Sequence, residues 1–263
     1  MRRFSPHKAL GQSFLVHAPT AEALVNALEP GGDDTVLEIG PGRGALTRLL
    51  VGRAGRVVAV ELDPRLADRL LAELGAEPGF RLIIADFLTW RPDFERPVKV
   101  IGNLPYSVSS PMLFRLLDDF TGWTTAVLTT QREFARRVLG GPGSKDYSAM
   151  SVFCERWCRR EKLLSIPGRY FRPRPDVVST SFRLVRRERP LFPVEDELFF
   201  RRLVRAAFAQ RRKTLANNIV AGFGVTRAVA EAALAQAGID AGCRAEAVPA
   251  ERFSALAGVL GRV

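Results

Sequence analysis

The stretch Gly102-Asn103-Leu104-Pro105-Tyr106 contains the residue types in this sequence that are best suited to chemistry. An exocyclic adenine amine is a poor nucleophile because its lone pair is delocalised into the ring. The Asn103 side-chain oxygen and the Leu104 carbonyl could accept its two N–H bonds, Pro105 would stiffen the turn, and the Tyr106 ring could stack on the base. The alternative is a structural turn capped by an asparagine.

A glycine-rich turn, Glu38-Ile39-Gly40-Pro41-Gly42-Arg43-Gly44, stands between a predicted strand and a predicted helix. Glycine lets the backbone turn sharply and approach a ligand closely, and a helix N-terminus favours an anionic group. This pattern by itself suits a dinucleotide equally well.

Two acidic residues narrow the choice of ligand. Glu61 ends the second predicted strand, 21 positions after Gly40, and could accept both hydroxyls of a ribose. Asp86 ends the third strand and could accept from an adenine amine, with Phe87 packing on the ring. Alternatively, both carboxylates only cap the helices that follow. Because these features all lie at the carboxyl ends of strands, where open α/β sheets bind ligands, we predict a nucleoside cofactor.

The elements that must position these residues alternate between strands and helices, which predicts a doubly wound, Rossmann-like α/β sheet. The predicted strands are Thr35–Ile39, Arg56–Val60, Arg81–Ala85, Val98–Ile101 and Thr124–Leu128. The predicted helices are Ala45–Val51, Pro64–Leu74 with Asp63 as its cap, and Pro111–Leu117 with Ser110 as its cap.

After a linker at 186–190 the periodicity is helical only. We therefore predict two domains, residues 1–187 and a small, all-helical C-terminal domain at 188–263. Its predicted helices are Glu195–Ala209, Lys213–Ala221, Thr226–Gly238 and Pro249–Leu260.

The formal net charge is +11, and residues 132–187 hold 14 basic but only five acidic side chains. Such a concentration of positive charge is typical of a protein that binds a polyanion, although a solvated basic face is the alternative. No apolar run is long enough to span a membrane, and the basic start of the chain has no apolar stretch behind it. These features favour a cytoplasmic protein without a membrane partner.

The three cysteines, Cys154, Cys158 and Cys243, argue against a disulfide framework because their number is odd. Cys154 and Cys158 could share a helix face, but His7 and His17 are far away in sequence. We expect buried, inert thiols and no metal site.

Four motifs together resemble the ribosomal RNA adenine dimethyltransferase family. They are Gly11-Gln12-Ser13-Phe14-Leu15, Glu38-Ile39-Gly40-Pro41-Gly42, Glu61-Leu62-Asp63 and Asn103-Leu104-Pro105-Tyr106. The resemblance covers essentially the whole chain and includes Phe171-Arg172-Pro173-Arg174-Pro175-Asp176-Val177. The segments Phe208–Thr214 and Arg244-Ala245-Glu246 resemble the small-subunit branch of the family.

This resemblance implies the seven-stranded methyltransferase sheet, with its last strands near Leu163–Ile166 and Val178–Val185. It implies S-adenosylmethionine as the cofactor, and a target adenine between Tyr106 and Phe171. The expected cofactor-binding residues are Gln12, Ser13, Leu15, Gly40, Gly42, Glu61, Leu62, Asp86, Phe87 and Asn103. The expected catalytic residues are Asn103, Leu104, Pro105, Tyr106 and Phe171.

The sequence departs from the family pattern at two places. Ser13 stands where members usually have Asn or His, so this cofactor contact is expected to be weaker or made by the backbone. Tyr147-Ser148-Ala149-Met150-Ser151 stands where the family has Tyr-Gly-x-Leu-Ser.

Arginine binds phosphate bidentately and stacks on bases, so the basic segments are the expected RNA-binding surface. The expected contacts are Arg132, Arg136, Arg169, Arg172, Arg174, Arg211, Arg212 and Lys213. The last three are placed at a helix start, where cations gain nothing from the helix dipole, which favours an external phosphate over a solvated helix end.

The predicted function is dimethylation of two adjacent adenosines near the 3′ end of small-subunit (16S) ribosomal RNA by a monomer, during ribosome biogenesis. One alternative is Erm-type methylation of 23S RNA, which confers macrolide resistance. A second is a non-catalytic RNA-binding assembly factor with the same fold.

Overall fold

Strands and helices alternate through most of the chain, in a computed structural model that describes residues 13–261. In chain order, the elements up to residue 186 are β1 (Phe14–Leu15), α1 (Ala18–Leu28), β2 (Thr35–Ile39), α2 (Thr47–Leu50), β3 (Arg56–Glu61), α3 (Pro64–Leu74), β4 (Phe80–Ile84), β5 (Val98–Asn103), α4 (Ser109–Asp118), β6 (Trp123–Gln131), α5 (Arg132–Leu139), α6 (Ala149–Trp157), β7 (Cys158–Ile166), β8 (Phe171–Arg172) and β9 (Ser179–Arg186). The remaining helices are α7 (Glu197–Ala207), α8 (Leu215–Phe223), α9 (Arg227–Gln236) and α10 (Ala250–Leu260). Single 3₁₀ turns lie at Gly168–Tyr170 and Ala245–Ala247.

The main sheet has seven strands in the order β4-β3-β2-β5-β6-β9-β7. Strands β2 to β6 pair in parallel, and β9 runs antiparallel to β6. In β2, β3 and β6 nearly every apolar residue is buried, as expected for strands that are covered on both faces of the sheet. The predicted Rossmann-like, seven-stranded methyltransferase sheet is confirmed, and each of its predicted strands is present with ends shifted by a few residues.

The structure corrects several predicted helices. Helix α4 begins at Ser109 rather than at Pro111, so Ser110 is inside the helix and is not its cap. Ser109 Oγ instead donates to the Pro105 carbonyl at 3.0 Å, which joins the helix to the turn that precedes it. Asp63 does cap α3, because its side chain accepts from the Arg65 amide. Helix α1 was not predicted.

The four C-terminal helices are present, with ends that differ from prediction. Thr214 caps α8 by accepting from the Asn217 amide, so Lys213 lies before the helix and not within it. Asp196 and Thr226 cap α7 and α9 in the same way. No helix in residues 13–261 is both long and apolar enough to cross a membrane.

The fold divides into two compact units. Of the described residues, the first unit contains 13–135 together with 160–186, and the second contains 136–159 together with 187–261. Residues 136–159 therefore group with the C-terminal helices, whereas the division into domains 1–187 and 188–263 stays a prediction about how the chain is organised.

The cysteines match the prediction only in part. Cys154 in α6 and Cys158 at the start of β7 are buried, and they do not share a helix. Cys243 is partly exposed. Within the described residues, no three His, Cys, Asp or Glu side chains are grouped so that they could hold a metal ion.

Phe171 belongs to the hydrophobic core of the first unit. Its side chain is 1% exposed and packs in one cluster with Leu15 and the apolar face of α1, including Leu24 and Leu28. Backbone pairing of β1 with β8 sets Leu15 directly opposite Phe171. Phe171 therefore supports the segment that carries β1.

We expect Phe171→Ala to lower the free energy of unfolding by about 3–5 kcal/mol, because it removes a buried aromatic ring and leaves a cavity. Phe171→Leu should cost much less. Urea unfolding of the three proteins is the measurement. A variant of unchanged stability that has lost turnover would instead indicate that the ring contacts substrate.

Candidate active site

One cavity lies at the carboxyl ends of β2, β3, β4 and β5. Because parallel strands all end at the same edge, the glycine turn after β2 meets the residues that follow the other three strands. Residues of the predicted sites that line it are Ser13, Leu15, Gly40, Gly42, Glu61, Leu62, Asp86, Phe87, Asn103, Leu104, Pro105 and Tyr106. Gln12 lies outside the described residues.

Glycine is required at two places around this cavity. Gly42 has a φ of 57°, and a Cβ at this position would lie 2.9 Å from Cδ1 of Phe14. Gly102 lies opposite Ile39 in the sheet, and a Cβ there would lie 2.9 Å from the Ile39 carbonyl oxygen. The two glycines therefore let the ring of Phe14 and the β2 backbone approach the site closely.

Glu61 connects the glycine turn to the start of α3. It is 6% exposed, and its two oxygens accept from the Gly42 amide at 3.0 Å and the Asp63 amide at 2.9 Å. Burial raises the pKa of this carboxyl, although the two backbone hydrogen bonds oppose the shift. The side chain is thus held at the cavity wall by the backbone, with acceptor capacity left for a ligand.

Glu38 is a cavity residue to which sequence reasoning gave no role. It is 1% exposed, and burial raises its pKa to about 8, with the charge of Glu61 adding to the shift. Its Oε2 has no hydrogen-bond partner within the described structure. An acidic residue inside an otherwise apolar strand was the signal that could have identified it.

Asp86 both lines the cavity and caps the turn that follows β4. Its Oδ1 accepts from the Leu88 amide at 2.9 Å. Arg115 on α4, which was not predicted, fastens this loop by donating to the carbonyls of Leu88 and Trp90. Its guanidinium also lies 5.3 Å from the centre of the Phe87 ring. The Phe87 side chain is consequently buried, with 3% of it exposed.

Asn103 is held in one orientation at the end of β5. Its Nδ2 donates to the Ser13 carbonyl at 2.9 Å, and its Oδ1 is buried with no hydrogen-bond partner in the described structure. Leu104 is buried and bonded through its amide to the Thr129 carbonyl at 3.0 Å. A buried amide oxygen without a donor is costly unless a ligand supplies one.

The Tyr106 ring is fixed through its hydroxyl group. This hydroxyl lies 2.7 Å from Oγ of Ser179, which is fully buried at the start of β9. Burial raises the pKa of the Tyr106 hydroxyl, so the group is neutral at physiological pH. Ser179 was missed because its distance along the chain from the catalytic motif conceals the contact.

Ser13 and Phe171 are both held by contacts within the protein. Ser13 Oγ donates to the Pro173 carbonyl at 2.8 Å, so its hydroxyl is used within the protein. Phe171 is absent from the cavity wall because its ring is buried in the core. The expectation that the target base lies between Tyr106 and Phe171 is therefore wrong for this arrangement of the side chains.

In the first unit, Arg132, Arg169, Arg172 and Arg174 are exposed. The Arg169 guanidinium lies 5.1 Å from the centre of the Tyr170 ring, and Arg172 donates to the carbonyls of Arg169 and Phe171 at 3.0 and 2.8 Å. These contacts connect Arg169 and Arg172 to neighbouring residues of the same loop, while both residues remain exposed.

In the second unit, Arg136, Arg211, Arg212 and Lys213 are exposed. Arg211 pairs with Glu246 at 3.1 Å and also donates to the Lys145 carbonyl. Its position is thus explained by contacts within the protein, which corrects the argument that an external phosphate was needed. Arg212 and Lys213 make no ion pair in the described part of the chain.

The second departure from the family pattern is compatible with the local backbone. Ser148 has φ −157° and ψ 173°, extended angles that any residue adopts, so glycine is not required there. The Ser148 amide donates to Ser151 Oγ at 3.0 Å at the start of α6. Tyr147 is fully buried and packs edge-on against Phe208, with ring centres 5.6 Å apart.

A family model described as ribosomal RNA adenine dimethylase matches residues 3–260 of this chain. The chain belongs to this family. It has the methyltransferase fold and contains the motif Asn103-Leu104-Pro105-Tyr106. The family resemblance predicted from the sequence is confirmed.

Individual relatives agree with this assignment. The ribosomal RNA small subunit methyltransferase A of Moorella thermoacetica is 40% identical, over 97% of this chain and 92% of that protein. The protein of the same name from Bacillus thuringiensis is 37% identical, over 98% and 92%. Among solved structures, the 23S rRNA methyltransferase ErmE is 31% identical with a TM-score of 0.73, over 94% and 99%. A dimethyladenosine transferase from Plasmodium falciparum, 23% identical with a TM-score of 0.76 over 92% and 95%, shares the fold.

We expect Glu38 to make stability depend on pH. The folded state keeps the Glu38 proton up to a pKa of about 8, whereas the unfolded chain releases it near 4.5, so unfolding releases a proton between these values. The free energy of unfolding should therefore fall as pH rises through this window, by up to about 1.4 kcal/mol per pH unit.

Glu38→Gln should lack this contribution. The measurement is urea unfolding of both proteins from pH 5 to 8 without cofactor, and the difference between them should change with pH. Parallel profiles would show that Glu38 is ionised in the folded protein.

Proposed function

We propose that this chain uses S-adenosylmethionine to dimethylate N6 of two adjacent adenosines near the 3′ end of small-subunit (16S) ribosomal RNA, as a step in ribosome biogenesis. The observation that carries the proposal is the buried Asn103 Oδ1, which has no hydrogen-bond partner among residues 13–261 while its Nδ2 donates to the Ser13 carbonyl. The names of the 37–40% identical relatives support the small-subunit substrate.

The catalytic turn suits an aromatic amine. Because Asn103 Nδ2 donates to the Ser13 carbonyl, the side chain is oriented so that its oxygen, an acceptor, is left for the substrate. For the first transfer the amine would donate to this oxygen and to the Leu104 carbonyl, which would hold the nitrogen in place. The nitrogen would lose one proton for each methyl group gained, so the monomethylated amine would keep one N–H for one of these two acceptors. The Tyr106 ring, pinned by Ser179, would stack on the base. Catalysis then rests on orientation and electrostatics.

The residues around the cavity fit S-adenosylmethionine, which supplies an electrophilic methyl group when it is bound. Glu61 would accept from the ribose hydroxyls, and Asp86 from the adenine amine. Leu62 and Phe87 contribute apolar surface beside these carboxylates. Gly40, where a Cβ would meet nothing within 4 Å, leaves open space at the turn.

The exposed arginines supply the RNA-binding part of the proposal. Arg169, Arg172 and Arg174 lie in and beside β8, which pairs with the strand that lines the cavity. Further exposed positive charge comes from Arg132, Arg136, Arg212 and Lys213. Arg211 would bind RNA only through the side of its guanidinium that does not face Glu246. The protein would act as a cytoplasmic monomer on RNA within the small subunit.

A second candidate is methylation of 23S RNA, which is favoured by the 31% identity to the 23S rRNA methyltransferase ErmE. The higher identity to the small-subunit enzymes, together with Phe208–Thr214 and Arg244-Ala245-Glu246, favours the first candidate. A non-catalytic assembly factor would not need the Asn103 Oδ1 to be kept without a partner.

We expect Glu61→Ala to weaken S-adenosylmethionine binding by about 1–3 kcal/mol, because it removes a charged acceptor of hydrogen bonds. Isothermal calorimetry of wild type and variant is the measurement. NAD serves as the control ligand and should not bind. Tight binding of NAD in place of S-adenosylmethionine would contradict the proposed cofactor.

We expect labelled methyl groups from S-adenosylmethionine to enter small subunits purified from cells that lack this protein. Large subunits and naked 23S RNA should take up little label. Asn103→Ala should abolish most of the turnover while particle affinity stays within about twofold, because the basic surface and not the amide binds RNA. Label confined to 23S RNA would establish the second candidate instead.

A further inference from the structure

We propose that Ser13 is a positioning residue which couples the basic loop around Pro173 to the orientation of Asn103. This inference rests on the proposed function, since it assigns a role in the same reaction. Ser13 contacts both: its Oγ donates to the Pro173 carbonyl at 2.8 Å, and its carbonyl accepts from Asn103 Nδ2 at 2.9 Å.

The strand register explains why a side chain makes the first contact. In the β1–β8 pair Phe14 lies opposite Arg172, which places Ser13 opposite Pro173. The Val16 amide donates to the Tyr170 carbonyl, and hydrogen-bonded pairs alternate along an antiparallel ladder, so Ser13 and Pro173 form a non-hydrogen-bonded pair. The backbone groups of Ser13 therefore point away from Pro173, which leaves its hydroxyl to donate to the Pro173 carbonyl and its own carbonyl to accept from Asn103 Nδ2.

The second contact decides what Asn103 presents to substrate. An amide can rotate to exchange its oxygen and nitrogen, and the Ser13 carbonyl accepts only from the nitrogen. The oxygen is thereby left for the amine, buried and without a partner in the described structure. Ser13 thus controls the polarity of the catalytic amide through its backbone and anchors its own backbone through its side chain.

The loop at the other end of this connection is strongly basic. Arg172 and Arg174 flank Pro173 and are exposed, while Phe171 is buried and holds the loop to the core. A phosphate bound by these arginines would act on a segment that is bonded through Ser13 to Asn103. RNA binding and the orientation of the amine acceptor would therefore be coupled.

The test uses full-length Ser13→Ala, Ser13→Thr and, as a matched control, Ser165→Ala, which alters an exposed serine of β7. Steady-state methylation of undermethylated small subunits gives kcat and KM for the particle, and calorimetry gives the affinity for S-adenosylmethionine. Hydrogen exchange reports on the amides of residues 168–177.

Ser13→Ala should lower kcat/KM for the particle about two- to tenfold, the loss expected for one neutral hydrogen bond, with most of the change in kcat. Cofactor affinity should stay within twofold of wild type, and exchange in 168–177 should accelerate. Ser13→Thr keeps the hydroxyl and should restore both, and Ser165→Ala should match wild type.

The proposal is overturned if Ser13→Ala equals wild type in kcat and in exchange, or if its main defect is loss of cofactor affinity. Should Ser13→Ala unfold, Ser13→Cys replaces it, and wild-type kcat and exchange in that variant would count against the coupling. A wild type that methylates no ribosomal particle contradicts the proposed function, whereas the exchange rates still decide whether Ser13 anchors the loop.

Discussion

The parallel pairing of β2 with β3 on one side and with β5 on the other is the constraint on which the site depends. The strand order reverses between β2 and β5, so the loops that leave the carboxyl ends of these two neighbouring strands run to opposite sides and open a crevice. The glycine turn, Glu61 and Asn103 all lie at this crevice. None of these residues needs to be near another in sequence, because the register of the strands brings them together.

The site contains buried polar atoms that the protein does not fully satisfy. Glu38 Oε2 and Asn103 Oδ1 are buried without a hydrogen-bond partner in the part of the chain that the structure describes, and burial raises the pKa of both Glu38 and Glu61. Such atoms reduce the stability of the folded chain unless a ligand provides donors or the carboxyl keeps its proton. Neighbouring side chains are fixed by hydrogen bonds, as Tyr106 is by Ser179. This combination of a rigid frame and unsatisfied acceptors is typical of a site organised in advance for its ligand.

The two short strands β1 and β8 join the cavity to the basic loop. Phe14 and Leu15 form part of the cavity wall, and the same two residues pair with Arg172 and Phe171. Phe171 secures this pair to the core while the arginines remain at the surface. The buried Phe171 therefore fixes the position of this segment, while its exposed arginines can bind a polyanion.

The sequence by itself predicted the first five strands of the sheet and the glycine turn, because hydrophobic period and residue type are local properties. The last two strands were implied by the family resemblance, and the chemistry of Asn103-Leu104-Pro105-Tyr106 stays a prediction. The sequence also predicted Asp63 as the N-terminal cap of α3 and the order of the C-terminal helices. Tertiary structure alone decided the partners: Ser179 for Tyr106, Arg115 for the Asp86 loop and Pro173 for Ser13. The tertiary structure also determined that the Phe171 side chain belongs to the hydrophobic core and that Arg211 forms an ion pair with Glu246. Each of these depends on which residues distant in sequence become neighbours, and local pattern carries no information about that.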